Sequence, residues 1–454
     1  MEIRNLKENE FDAAKAIASY CFGFGREAGE NARFFAQKAS PDVLYGAFVD
    51  GTLASCLFSL PYTVRIRGRM IPCGGISTVA TLPEYRNRGL MKALLLHALE
   101  EMRGKKQWIS ILGPFLYSFY RKYGWAQMYE TMSLEFPQEM LACFMKYASL
   151  DHPKDQYTLR RCEAADLPAL NRVYQAWTQQ YEAVFERPEQ IWQHEQEWRD
   201  ENNHALYVAV DSTGCIQGYM HYEIRGKTFN IYELIHATRD ARHALLHFVH
   251  MHRAEIETVQ WRNMPLDDLL LVEADSPNQK RSIHPSMTGR ITDIAGFFSE
   301  FGEPPPSPFL KPDSPDLEHA TRKKVRGPSP AQLAGQPPSP LSAAGLQTSD
   351  PGSVSQSTSS PSPCSLKIKV DDDFAHWNAA VWHIQADGSS IVASKTQDAP
   401  QLSCDTGVLT QIITGWLCPR RAAEAGCLKV KDQTALENLA ALFPQRLTWM
   451  HEVF

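Results

Sequence analysis

Several things that would class this chain at once are missing from it. Its ten cysteines (Cys21, Cys56, Cys73, Cys143, Cys162, Cys215, Cys364, Cys404, Cys418 and Cys427) form no C-x-x-C pair. That scatter suits neither a structural zinc site nor a secreted disulfide framework, so reduced thiols are expected. No apolar run approaches the roughly 20 residues needed to span a bilayer. The first ten residues, MEIRNLKENE, are charged and lack the apolar core of a signal peptide. Positive charge is not in excess either: the net charge of -6 argues against a general nucleic-acid binder and is compatible with a cationic, amine-bearing substrate. A soluble, cytoplasmic protein without membrane or nucleic-acid partners is the expectation. What is plentiful is core material. Hydrophobic residues make up 43% of 454 positions and include ten tryptophans, enough for roughly three domains.

The most informative stretch is Val79-Ala80-Thr81-Leu82-Pro83-Glu84-Tyr85-Arg86-Asn87-Arg88-Gly89-Leu90-Met91. A β-rich run stops at Pro83, a short loop carries Arg86, Arg88 and Gly89, and a helix with an apolar face begins at Leu90. Strand, basic glycine loop and helix together bind a pyrophosphate. Unpaired N–H groups at the helix start point at the anion, and the helix dipole favours its charge. Glycine lets the main chain turn tightly and come close to the phosphates.

Around this loop, residues 1–150 read as one α/β unit. The pattern predicts a strand over 2–6, helices over 8–20 and 30–38, and a hairpin over 43–49 and 52–66 about Asp50-Gly51. It continues with a strand over 70–81, the helix after Gly89, a buried strand over 108–112, a short helix over 116–123 and a closing strand over 126–134. A second unit, 151–285, repeats the opening from Tyr157. Its counterpart of the loop, Ala237-Thr238-Arg239-Asp240-Ala241-Arg242-His243, contains no glycine. It reads as a relative of the first unit that has lost its phosphate loop. A third unit covers 286–454. It holds an amphipathic helical segment over 289–301, strands over 366–370 and 378–384, and helices over 406–416 and 434–443. Fourteen of the 29 prolines fall between Pro304 and Pro363, mixed with Ser, Gly, Thr and Ala. Such a composition cannot bury enough apolar surface to offset chain entropy, so a disordered insertion at about 303–364 is expected.

The loop resembles the acyl-CoA loop of the GNAT superfamily of N-acetyltransferases, Arg/Gln-x-x-Gly-x-Gly/Ala. Arg86 and Gly89 match, and Met91 stands at the last position. Arg-x-Arg-Gly followed by two bulky apolar residues resembles the enhanced intracellular survival (Eis) acetyltransferases. The resemblance implies an α/β (α+β) fold of two tandem GNAT-type domains, the second degenerate, followed by a sterol carrier protein-type domain. It implies acetyl-CoA as co-substrate, a homohexamer, and primary amines of the aminoglycoside, polyamine or lysine type as acceptors. The backbone of Val79, Ala80 and Thr81 would pair with the pantetheine arm. Arg86, Asn87, Arg88, Gly89, Leu90, Met91 and Lys92 would hold the pyrophosphate, with Phe115 and Leu116 also on the cofactor. Tyr120-Arg121-Lys122-Tyr123-Gly124-Trp125 matches the segment Tyr-x-Arg-Phe-Gly-Tyr that carries the family's general acid. A tyrosine, with a reference pKa of about 10, stays protonated until a thiolate departs. Tyr120 is therefore the expected acid, and Tyr117 and Tyr123 are read as helix-face residues packed on the sheet. In Eis proteins the C-terminal carboxylate enters the active site, which makes that of Phe454 the expected base, directly or through a water. The family's penultimate glutamate is displaced here to Glu452.

Three other readings remain at this stage. His243 and His247 are four apart and could share a helix face toward a metal, but no Cys or acidic ligand accompanies them, and no metal is expected. A longer-chain protein acyltransferase like the N-myristoyltransferases is the enzymatic alternative. A non-catalytic lipid- or partner-binding protein on degenerate domains is the other.

Overall fold

The structure is a computed structural model and describes residues 1–22, 40–148, 157–266, 278–302, 363–387 and 390–451. The expected helix over 30–38, nearly all of the expected insertion, and Phe454 lie outside the described residues.

Three sheets organise the described residues. In the first, Glu2–Asn5, Leu44–Val49, Thr52–Ile66, Arg69–Thr81 and Ile109–Leu112 lie side by side in that order. The hairpin at Asp50-Gly51 forms as its residues dictate. Both have positive φ, 50° and 80°, the pairing that matches the twist of a tight β-turn. The helix Leu90–Gly104 covers this sheet. It buries Leu90, Leu94, Leu95, Ala98, Leu99 and Met102, a single stripe at helical spacing.

The expected closing strand over 126–134 is broken in two. Met128 and Tyr129 are fully buried at the break, where the Tyr129 hydroxyl donates to Ala183 O at 2.7 Å. Ala126–Gln127 stays with the first sheet, while Glu130–Pro137 crosses into the second. There it pairs with Thr258–Met264 and Lys280–Pro285. In return Thr288–Ile291, fully buried, inserts between Ile109–Leu112 and Ala126–Gln127. Val184–Phe185 also joins the first sheet, beside Thr52–Ile66, so three strands sit in sheets other than those the expected bounds at 150 and 285 assign.

The helix expected over 289–301 is shorter than its periodicity suggests: Thr288–Ile291 is a strand and the helix is Ile294–Ser299. Asp293 marks the change, its carboxylate accepting from Gly296 N at 2.7 Å as an N-cap.

The second sheet continues Thr258–Met264, Thr228–His236, Ile216–Arg225, Ala205–Val210, Thr158–Arg161. The third consists of Ser390–Thr396, Ala380–Asp387, Cys364–Asp371, Leu402–Asp405 and Lys429–Val430. Leu366, Ile368 and Val370 alternate inward along it, as one buried face requires. This unit docks on the first sheet. Gln411 Nε2 donates to Gln127 O at 2.9 Å, and Ile291 N to Thr410 Oγ1 at 3.0 Å. One apolar core runs through both, from Ile109 and Ile291 to Val408 and Ile412.

Candidate active site

The Arg69–Thr81 strand pairs with Ile109–Leu112 only from Cys73↔Ile109 to Ile76↔Leu112. Beyond Ile76 the two diverge and open a wedge. On its other side the register with Thr52–Ile66 shifts between Cys56 and Phe58, so that Leu57 stands against both Thr78 and Val79. Thr78 adopts φ 52°, a costly conformation for a β-branched residue. Such a bulge bends the strand and re-aims its backbone into the gap.

The basic loop follows. Asn87 (φ 61°) and Gly89 (φ 79°) turn the chain, and Gly89 is the N-cap of the Leu90–Gly104 helix. No side chain caps it, so the first N–H groups face outward. A Cβ at position 89 would meet nothing within 4 Å; the positive φ alone asks for glycine there. Arg86 Nε donates to Thr81 O at 3.1 Å, tying loop to strand.

Wedge and loop form one wall of a cavity of about 1770 Å³. Of the residues expected on the cofactor, Val79, Ala80, Thr81, Arg86, Asn87, Gly89, Leu90, Met91, Lys92 and Phe115 line it. Arg88 and Leu116 do not. The guanidinium of Arg88 lies 5.2 Å over the Tyr85 ring, and Leu116 is exposed.

Tyr120 lines the same cavity from the short helix Tyr117–Arg121. It is only 3% exposed, between the Phe115 ring at 5.6 Å and the Phe119 ring at 5.2 Å. Burial pushes its hydroxyl up to about 12. Tyr117 is committed elsewhere, donating to Ser286 O at 2.6 Å, whereas Tyr123 also reaches the cavity. The end of this helix is held from outside the first unit. Fully buried Arg290 donates through Nη1 to Tyr123 O and through Nη2 to Asp372 Oδ2 at 2.5 Å. Gly124 (φ 89°) leaves room for that guanidinium, since a Cβ there would lie 2.8 Å from Nη1.

The opposite wall comes from the second unit and was not legible in the sequence. Arg187 and Glu233 pair bidentately at 2.8 and 3.2 Å, both buried. Burial alone would raise the Glu233 carboxyl, but the charge and hydrogen bond of Arg187, with the nearby His451 and His221, together outweigh it and leave it at about 2. The pair is packed against aromatic rings, with the Arg187 guanidinium 4.1 Å from the Tyr174 centroid and 5.1 Å from that of Trp192. Glu195, Trp198, Arg199, His221 and Tyr232 complete this wall.

The chain end runs along it. Glu182 N donates to Leu447 O at 2.8 Å and Trp449 N to Glu182 O at 3.2 Å. Trp449 is buried, its Nε1 donating to Asn263 O at 3.0 Å. His451 lines the cavity, with Nε2 3.2 Å from Tyr232 O. The last described residue therefore stands at the cavity wall, three positions before Phe454.

His243, considered for a metal, is buried against Phe144, with ring centroids 5.2 Å apart. Among the described residues no three His, Cys, Asp or Glu side chains converge as a metal site. No helix among them is long and apolar enough to cross a membrane.

Comparison with known proteins now gives the class. Residues 2–128 and 183–291 each match an acetyltransferase (GNAT) domain, and residues 355–451 match a sterol carrier protein domain. The chain belongs to the GNAT superfamily of acyltransferases and carries two such domains before a sterol carrier protein domain. Its build is Eis-like: Eis1 from Mycobacterium abscessus is similar at 17% identity and TM-score 0.70, over 100% of both chains. A probable N-acyltransferase from Enterococcus faecalis is similar at 20% identity and TM-score 0.77, over 100% of this chain and 99% of that one. A GCN5-related N-acetyltransferase from Anabaena variabilis is similar at 19% identity and TM-score 0.76, over 100% of both. No curated protein matches the chain.

Proposed function

We propose that this protein transfers an acetyl group from acetyl-CoA to a primary amine of the aminoglycoside, polyamine or lysine type by direct attack on the thioester. One observation carries the reading. The uncapped, glycine-turned start of the Leu90–Gly104 helix opens onto the same cavity that holds the buried Tyr120. Coenzyme A would lie with its pyrophosphate on the loop at residues 86–92 and its pantetheine in the wedge beside Val79, Ala80 and Thr81. The strand's backbone would hold the arm in register and polarise the acetyl oxygen. The amine attacks the carbonyl, the C–S bond breaks, and Tyr120 gives its proton to the thiolate. Burial suits that role, because it keeps the phenol protonated until charge develops beside it.

The carboxylate of Phe454 is the proposed base, directly or through a water. The anchoring of residues 447–451 along the cavity supports it. A homohexameric, cytoplasmic enzyme belongs to the same reading, carried by the family resemblance alone. The test is calorimetric titration with acetyl-CoA, followed by an amine screen read as thiol release, on the native chain and on one extended at its C-terminus. Micromolar acetyl-CoA binding is expected in both, with thiol release lost roughly tenfold or more in the extended chain. Full activity after extension would remove the terminus from the chemistry. No binding in either would remove acyl transfer.

A further inference from the structure

A row of titratable side chains leads away from the cavity through the second unit. His221 lines the cavity from the Ile216–Arg225 strand and is 4% exposed. Behind it, His221 Nε2 lies 2.9 Å from His204 Nδ1. His204 Nε2 in turn lies 3.6 Å from Glu223 Oε2, with side-chain exposures of 7% and 12%. His221 and Glu223 are two apart on one strand and so share its face. Tyr232 braces the row. Its ring stacks on His204 at 4.9 Å and 21°, and its hydroxyl donates to Glu223 Oε1 at 2.5 Å.

The direction of the row follows from its far end. Glu223 accepts from the Tyr232 hydroxyl and from Arg225 Nη2 at 3.1 Å, which holds it as a carboxylate. A carboxylate facing His204 Nε2 favours the proton on that nitrogen, which leaves Nδ1 as acceptor. His221 Nε2 must then donate, and its Nδ1 carries the lone pair. The groups around His221 are Arg199, His451, Glu233 and His204. Burial and the charge of Arg199 both oppose a standing charge on the ring, so His221 can pass a proton on but not store one. Glu223 adjoins Arg225, whose side chain is 78% exposed, and so lies next to solvent.

We infer that His221, His204 and Glu223 form a proton relay that carries the acceptor's surplus proton from the cavity to solvent. This rests on the acyl-transfer reading above. An amine that arrives as an ammonium and leaves as an amide releases one proton in each turnover, in addition to the one Tyr120 gives the thiolate. That proton, taken from the ammonium or from the base that first removed it, binds His221 Nδ1. The proton on His221 Nε2 passes to His204 Nδ1, and that on His204 Nε2 crosses the 3.6 Å to Glu223 through one bridging water. Glu223 then loses it to water. No bond other than N–H and O–H changes, and a half-turn of each imidazole ring brings its proton back to the starting side before the next turnover.

The test compares 1,5-diaminopentane, whose amines are ammonium ions at pH 7, with its bis(aminooxy) isostere, which is neutral there. Thiol release is followed at saturating acetyl-CoA. His204 does not line the cavity, so His204→Gln should leave KM for either acceptor within about twofold. With the diamine its kcat should fall by roughly tenfold or more and recover as pH rises toward the amine pKa of about 10. With the aminooxy isostere kcat should stay within about twofold. Glu223→Gln, close in shape and judged by its melting curve, should repeat the pattern if His204→Gln does not fold. Unchanged turnover of the diamine in a folded variant, or equal losses with both acceptors, would overturn the relay. No thiol release from the wild-type chain with either acceptor would remove acyl transfer, and the relay with it.

Discussion

The two GNAT domains begin their equivalent helices in opposite ways. In the first, Gly89 at φ 79° caps the helix with no side chain, and its N–H groups face a cavity. In the second, Thr238 caps the Arg239–Met251 helix, accepting from Ala241 N at 3.1 Å. The Tyr157 hydroxyl closes over that threonine at 2.9 Å. A helix start can complete its hydrogen bonds from within the chain or leave them for an anion, and a few residues decide which. The second domain uses its cleft differently. Its strand Thr228–His236 pairs with Thr258–Met264 only as far as Ile231↔Trp261, and Trp449 of the chain end reaches Asn263 O near that opening. Where the first domain is open to a ligand, the second is occupied by the chain's C-terminal segment, which follows the sterol carrier protein domain's last helix.

Three substitutions test this contrast, in falling order of effect. Tyr120→Phe removes the proposed proton donor but keeps the ring. Turnover should fall on the order of 100-fold while the Kd for acetyl-CoA stays within about twofold; unchanged thiol release would take Tyr120 out of the mechanism. Gly89→Thr gives the first domain the second one's cap. A β-branched residue at φ 79° costs about 1–2 kcal/mol, and its hydroxyl competes for the N–H groups an anion needs. Acetyl-CoA should bind roughly tenfold or more weakly by calorimetry, and equal affinity would mean that the loop does not hold the phosphates. Thr238→Ala is the converse. It should lower the unfolding free energy by about 1 kcal/mol in a denaturant titration and leave acetyl-CoA affinity alone. Weakened binding would show that the second start contributes to the cofactor site.

What could be read from the sequence was local. The phosphate loop is a linear signal, since strand end, basic turn, glycine and apolar helix face fall within about fifteen residues. The hairpin at Asp50-Gly51 and the alternation at 366–370 are likewise short-range. The second wall is not, because Arg187 and Glu233 meet across 46 positions. A glutamate inside an otherwise apolar strand, Ile231-Tyr232-Glu233-Leu234-Ile235, was the available hint, since a charge there needs a buried partner. The strand Thr288–Ile291 was hidden by periodicity. Ile291, Ile294 and Phe297 are spaced three apart, which reads as a helix, and Asp293 as N-cap was the signal that the helix starts later.

Strand 288–291 is the link that joins Ala126–Gln127 to the rest of the first sheet, so that sheet stays incomplete until residue 291 has been made. During synthesis the phosphate loop and Tyr120 emerge early, yet the wall behind them stays open until residue 291 has left the ribosome and found its slot. Pairings over such distances in sequence are slow to form. The nascent first domain therefore passes through a long interval with a gap between Ile109–Leu112 and Ala126–Gln127, a place where a holdase chaperone could bind.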